Sequence, residues 1–257
     1  MSTHAPERLI RLENAFNVRD LGGYALAGGG ETAWRAVLRG DGLHRLGEND
    51  VARLLDQGLR TVIDLRSGYE LEREPNPFRA HPVVRYHNIA LFDALSPIDI
   101  VLGAQGSAFD MAARYRDAVD HCSARIVAVL EAMVEADEGA ILFHCSAGKD
   151  RTGLVAAILL VLAGVDDDQV LDDYALTAKL ATPLIEQFRA RALARGADPR
   201  FVEGFLSSEP ATMRSTLDHI ANTYGGVQTY LEHAGADAAM LAGVRRRLLT
   251  DAPHAVS

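Results

Sequence analysis

Residues 140–160 run from an apolar stretch through a short loop of small residues into a second apolar stretch. Ala140-Ile141-Leu142-Phe143 reads as a buried strand, and Leu154-Val155-Ala156-Ala157-Ile158-Leu159-Leu160 as a buried helix. A loop between a strand end and a helix N-terminus collects backbone N–H groups that have no helical partner, and the helix dipole adds positive potential there. Such a loop is an anion site before any side chain is considered. Cys145 opens the loop and Arg151 closes it. That spacing allows the loop to wrap a tetrahedral oxyanion, with the thiol beneath and the guanidinium forked on two oxygens. A helix N-terminus beside Lys149 and Arg151 also favours the thiolate, which is a strong nucleophile toward phosphorus.

Two blander readings compete. A lone cysteine at a strand end is usually a small packed residue, but that role asks nothing of the following Gly148-Lys149-Asp150-Arg151-Thr152-Gly153. A nucleotide-binding P-loop fails on spacing. Phe143 stands where its first glycine belongs, and Asp150 stands where a hydroxyl should follow the lysine.

His144-Cys145, five residues, then Arg151-Thr152 resembles the signature of cysteine-dependent phosphatases. In full, His144-Cys145-Ser146-Ala147-Gly148-Lys149-Asp150-Arg151-Thr152-Gly153 is similar to the loop of PtpB-like bacterial tyrosine phosphatases, a group with both protein and phosphoinositide activity. The Asp150-Arg151 pair also resembles myotubularin-type lipid phosphatases. Outside the loop, Asn17-Val18-Arg19-Asp20-Leu21-Gly22-Gly23 and Thr61-Val62-Ile63-Asp64-Leu65-Arg66-Ser67 resemble further motifs of the PtpB-like group. Asp172-Asp173-Tyr174 and Thr223-Tyr224-Gly225-Gly226 are weaker matches, so the likeness spans about residues 14–250. It implies one phosphatase domain over residues 1–257, with an N-terminal arm at 1–13 and a helical part at 166–250. It also implies a phosphocysteine intermediate, no cofactor and no metal.

Roles follow residue by residue. Arg151 binds the phosphoryl oxygens and gains strength as charge builds in the transition state. Ser146, Ala147 and Gly148 line the loop and must be small. Thr152 is placed to hydrogen-bond the Cys145 sulfur, to act as a helix N-terminal hydroxyl, or both. His144 orients the loop. Lys149 either adds a second cation where substrate enters, favouring acidic or multiply phosphorylated substrates, or points to solvent. The leaving oxygen needs a proton from a carboxylic acid. Asp150 ranks first, as in the lipid phosphatases it resembles; Asp93, after the strand ending at Leu91, ranks second. Asp64 ranks third, because Arg66 follows it and a structural ion pair is expected. Arg19 and Asp20 brace the N-terminal motif. Cys122 packs in the core, or else serves as a resolving thiol for Cys145. Arg245-Arg246-Arg247 is a solvated helix face.

The net charge of −9 argues against nucleic acid as a partner, although a local cationic site still suits a phosphate monoester. Two cysteines make no disulfide framework. Residues 1–11 hold no signal-peptide core, and the apolar stretch 154–165 is too short for an integral membrane span. A cytoplasmic protein is expected, with signal-less secretion left open.

Elsewhere the pattern predicts a hairpin tip at Gly28-Gly29-Gly30, a returning strand over 32–39, a short helix over 48–57, a strand over 59–65, a polar helical turn over 69–74 and a strand over 83–91. Residues 96–107 read as an apolar flap, and 109–136 as one long amphipathic helix. After Gly164 only helices follow, near 183–195, 199–206, 209–223, 226–234 and 236–249, with Asp166-Asp167-Asp168 opening one before them. The expected fold class is α/β: a central, mostly parallel sheet flanked by helices, cysteine-phosphatase-like, with a helical C-terminal layer. The leading function is a phosphatase acting on phosphotyrosine protein, with phosphoserine, phosphothreonine and phosphoinositides as further substrate classes. The alternatives are a non-catalytic phosphate-binding module on the same fold, and sulfur transfer or arsenate reduction, which gives no reason for the Lys149-Asp150-Arg151 run.

Overall fold

Strand β5, Ala140–His144, is buried along its whole length. Its alternate side chains enter two separate cores, as the period of a strand requires. Ile141 and Phe143 pack into one apolar cluster, and Ala140 and Leu142 into another on the opposite face. A strand covered on both faces has no polar side to show, which is why this segment is uniformly apolar.

The computed structural model describes residues 7–91 and 109–249. Four more strands complete the sheet: β1 Arg19–Asp20, β2 Val37–Gly40, β3 Leu59–Asp64 and β4 Arg85–Asn88. Their order is β1-β2-β5-β3-β4. All neighbours run parallel except β1, which pairs antiparallel with β2. The register matters for function. Gly40, Asp64 and His144 lie side by side at the carboxyl ends of β2, β3 and β5, so three strands open onto one crevice. Parallel sheets of this kind place ligands there.

Helices cover both faces. They are α1 Glu48–Asp56, α2 Gly68–Arg73, α3 Met111–His121, α4 Ser123–Val134, α5 Asp150–Ala163, α6 Asp167–Leu180, α7 Thr182–Ala194, α8 Pro199–Leu206, α9 Pro210–Tyr224, α10 Val227–His233 and α11 Ala238–Leu248. Helix α5 is buried almost all round and stops at Gly164, which takes the left-handed conformation at φ 92°. The Asp166 side chain caps α6 by accepting from the Asp168 amide. The expected mostly parallel α/β sheet with a helical C-terminal layer is what forms. No helix among the described residues is long and apolar enough to cross a membrane.

Three segments differ from the pattern-based reading. The long helix over 109–136 is two helices, broken at Cys122 (φ −104°, ψ 9°). Each half follows its own partner, α3 packing on α9 and α4 on α11. The returning strand over 32–39 shortens to β2, because the Asp20 carboxylate accepts from the Arg35 amide and guanidinium and holds a turn there. The strand over 83–91 shortens to β4. Asp93 and the flap at 96–107 lie outside the described residues.

Leu142 is fully buried in the central strand. Leu142→Ala is expected to lower unfolding stability by about 2–5 kcal/mol through lost burial and the cavity left behind, measured as the shift in urea midpoint at constant m-value.

Candidate active site

The loop from Cys145 to Lys149 joins β5 to α5, and its carbonyl oxygens are held from outside, one after another. His144 Nδ1 donates to Cys145 O at 3.1 Å. The Gly42 amide donates to Ser146 O at 3.0 Å. Asn17 Nδ2 donates to Ala147 O at 3.3 Å and Gly148 O at 3.1 Å, and Arg39 Nη2 reaches Gly148 O at 2.8 Å. Peptide planarity sets N–H opposite C=O, so carbonyls turned outward leave amides turned inward. Among the described residues, the amides of 146–152 donate to no protein group. Such a ring of unspent donors at a helix N-terminus suits an oxyanion. Cys145, 2% exposed, sits at its start. Gly148 makes the last turn possible: its φ is +65°, and a Cβ there would stand 2.7 Å from Gly40 O and 2.8 Å from the Asp41 amide.

The groups that hold the loop are themselves fixed. Asp41 accepts from the Asn17 amide at 3.0 Å and the Phe16 amide at 3.1 Å, setting the backbone that carries the Asn17 side chain. Asp173 of α6 lies between Arg19, at 2.9 Å, and Arg39, and accepts from Tyr24 Oη at 2.9 Å. Burial alone would raise the Asp173 carboxyl, but the two guanidiniums outweigh it and hold it well below the usual carboxylate range. Within the N-terminal motif Arg19 donates to Asn17 Oδ1 and Asp20 accepts from the Gly22 amide at 2.9 Å, so both brace it. The part played by Arg39 and Asp173 is not visible from the sequence; a charged residue inside the apolar run Val37-Leu38-Arg39 was the available signal.

Arg151 is buried and forked on Glu70, with Nη1 to Oε2 at 2.7 Å and Nη2 to Oε1 at 2.9 Å. Ser146 Oγ also donates to Glu70 Oε1. Glu70 is held in turn by a capping box at the start of α2, accepting from the Ser67 amide at 2.9 Å while the Ser67 hydroxyl receives the Glu70 amide. Burial works to raise Glu70; the Arg151 fork wins and brings it from 4.5 to about 2. Sequence reasoning missed Glu70. Ser67-x-x-Glu70 is a capping-box pattern, but a pattern of local spacing says nothing of an arginine far along the chain.

Asp64 forms the ion pair with Arg66 that its neighbour suggested. Arg66 donates to both its oxygens, at 2.9 and 2.7 Å, and Asn76 Nδ2 and Tyr86 Oη add bonds at 2.9 and 3.2 Å. His144 Nε2 stands 3.2 Å from the same carboxylate. Burial would raise Asp64, yet His144 and Arg66 keep it far below the normal range. His144 thus links Asp64 to the Cys145 carbonyl, an orienting position.

Thr152 donates to Gly40 O at 3.5 Å; its hydroxyl is directed at β2 and makes no bond to the sulfur. Lys149 neither points to solvent nor faces an entering substrate. Its ammonium is buried against the C-terminus of α8, donating to Phe205 O at 2.6 Å and Ser207 O at 2.8 Å, with Asp150 Oδ1 at 3.0 Å. A cation on the last carbonyls of a helix is favourable, and these bonds use it up. Asp150 sits at the rim of the loop beside Lys149, and its Oδ1 accepts from Tyr115 Oη at 2.8 Å. Cys122 is buried at the α3–α4 break.

The model of the tyrosine phosphatase family matches residues 10–250 of this chain. The chain is 29% identical over 252 residues to a predicted tyrosine-protein phosphatase of Cupriavidus necator, covering 91% of this chain and 87% of that protein. It is 28% identical over 282 residues to the triple specificity protein phosphatase PtpB of Mycobacterium tuberculosis, covering 93% and 98%. Among solved structures, Pseudomonas aeruginosa TpbA is loosely similar, with a TM-score of 0.36 and 21% identity over 66% of this chain and 83% of that one.

The Glu70–Arg151 pair has an acid signature. A carboxylate depressed in the folded state adds stability that is complete above its ordinary 4.5 and lost as pH falls toward about 2. Wild type should exceed Glu70→Gln in stability at neutral pH, and the gap should close over that window, read from denaturant midpoints across a pH series.

Proposed function

The chain belongs to the tyrosine phosphatase family, and from that footing we propose that it hydrolyses phosphotyrosine in proteins through a phosphocysteine intermediate at Cys145. The observation that carries this reading is the loop whose carbonyls are all held outward around a buried thiol, with Arg151 at its end.

The phosphoryl group enters the ring of amides from 146 to 152, and Arg151, oriented by Glu70, takes two of its oxygens. The Cys145 thiolate attacks phosphorus. The ester P–O bond breaks, and Asp150 gives its proton to the leaving phenoxide. In the second half, water attacks the phosphocysteine, Asp150 takes a proton from that water, and the S–P bond breaks to return the thiolate and release inorganic phosphate. Charge on the transferring oxygens is met by donors already in place, so little reorganisation is needed. No metal is assigned a step. A thiolate nucleophile works best in a reducing compartment, which favours the cytoplasm.

Asp93, the second acid candidate, stays a proposal on sequence grounds. A wider substrate range of phosphoserine, phosphothreonine and phosphoinositides is supported by the Gly148-Lys149-Asp150-Arg151 loop and by the name of the Mycobacterium relative. A non-catalytic phosphate-binding module would need the same loop but no acid.

Cys145→Ser is expected to abolish phosphate release from a phosphotyrosine peptide, in chelator and without added metal, while inorganic phosphate still binds in calorimetry. Turnover at the wild-type rate in that variant would remove the phosphocysteine. Lys149 gives a second test. Because its charge is spent on α8, Lys149→Ala should lower kcat/KM by the same factor for an aryl phosphate and for a phosphoinositide. A selective loss on the phosphoinositide would return the lysine to the substrate.

A further inference from the structure

Asp150 is held by one oxygen only. Oδ1 accepts from Tyr115 Oη at 2.8 Å and lies 3.0 Å from Lys149 Nζ. Oδ2 has no hydrogen-bond partner among the described residues, and the side chain is 16% exposed. The Tyr115 hydroxyl has a single proton, and a carboxylate can only accept, so that proton points at Asp150. The 3.0 Å contact between Tyr115 Oη and Tyr174 Oη then has one consistent direction, with Tyr174 as donor. A directed chain follows: Tyr174 to Tyr115 to Asp150 Oδ1. Both tyrosines are buried, and their rings meet edge to face at 6.0 Å and 85°. Burial and the nearby Asp150 charge push both phenols up, so both remain donors through the working pH range.

Tyr174 is fixed by the neighbourhood it shares with the loop. It follows Asp173, the acid between Arg19 and Arg39, and packs on α5 where a Cβ on Gly153 would stand 3.0 Å from its ring. One turn of α6 therefore braces the back of the loop with Asp173 and the acid with Tyr174.

We infer that Tyr115 is a positioning residue for Asp150, pinning Oδ1 so that Oδ2 carries the transferred proton, with Tyr174 holding Tyr115 in turn. The inference rests on the proposed role of Asp150 as the acid. A protonated carboxyl with both oxygens free would rotate, and its proton would be aimed at the leaving oxygen only part of the time. With Oδ1 kept as an acceptor, the proton is confined to Oδ2, which is left to serve the leaving group.

Proton donation matters most when the leaving group is a poor one, and this separates positioning from support of the fold. The test measures kcat/KM for aryl phosphates whose phenols range from strongly to weakly acidic, in wild type, Tyr115→Phe, Tyr174→Phe, Asp150→Asn and the Tyr115→Phe/Asp150→Asn double variant. Removing a hydrogen bond to a charged group should cost Tyr115→Phe about tenfold on the least acidic phenol, and little on the most acidic. Tyr174→Phe should shift the same way by less. In the Asp150→Asn background the Tyr115 change should add no further loss, and competitive inhibition by inorganic phosphate should be unchanged in Tyr115→Phe and Tyr174→Phe. A uniform loss across phenols, or the same loss with Asp150 already removed, overturns the inference and leaves the acid assignment standing. A loss in Asp150→Asn, relative to wild type, that is the same for every phenol overturns the acid assignment and the inference with it. Should Tyr115→Phe fail to fold, Tyr174→Phe carries the same comparison.

Discussion

Everything at the crevice depends on which way the peptide groups of residues 145–148 face. A carbonyl pointing into the loop would put partial negative charge where an oxyanion must sit. Each is instead drawn outward by a donor: the adjacent His144 for Cys145, and Gly42, Asn17 and Arg39 from elsewhere in the chain for the rest. A backbone carbonyl accepts readily, but it does not choose its direction. The surrounding donors impose it, and the amides are left facing the other way. Arg39 and Asn17 both converge on Gly148 O, where the chain turns through a left-handed glycine.

Holding those donors in place requires burying charge. Arg19, Arg39 and Asp173 are all close to fully buried, as are Asp64 and Arg66. Desolvating such groups is costly, and the mutual attraction of a buried pair often only breaks even. Their role is therefore better described as geometric than as stabilising. An apolar replacement of similar volume would fill the same space without fixing the angle of Asn17 or the position of Gly148. Glu70 belongs to the same logic. It fixes the plane of the Arg151 guanidinium through two bonds from its terminal nitrogens.

Much of this was readable in the residues. The strand, loop and helix around Cys145 follow from apolar runs and small residues, and the order of helices after Gly164 follows from periodicity and caps. The ion pair of Asp64 with Arg66 was legible because the two are near neighbours. What escaped was long-range: Glu70 on Arg151, Asp173 between two arginines, Tyr115 on Asp150. Nothing in local spacing encodes which distant side chain meets which. The two interruptions, at Cys122 and at Arg35, have the same origin, since tertiary partners overrode a continuous local pattern. Lys149 is the clearest case. Its place inside an anion loop suggests a substrate contact, and only the arrival of α8 reveals another use for its charge.

That contact also sets an order of events during synthesis. Ser207, whose carbonyl receives the Lys149 ammonium, comes 58 residues later in the chain. At translation rates of about 5–20 residues per second, the loop exists for roughly three to twelve seconds before its partner has been made. Through that interval the residues of all five strands have been made, while the lysine still lacks its α8 partner and the C-terminal helical layer is incomplete. Helix α8 is thus the element that closes the polar shell around Lys149, and three more helices follow it in the chain. A chain halted before residue 205 would carry every strand of the sheet and Cys145, but neither carbonyl that receives the Lys149 ammonium.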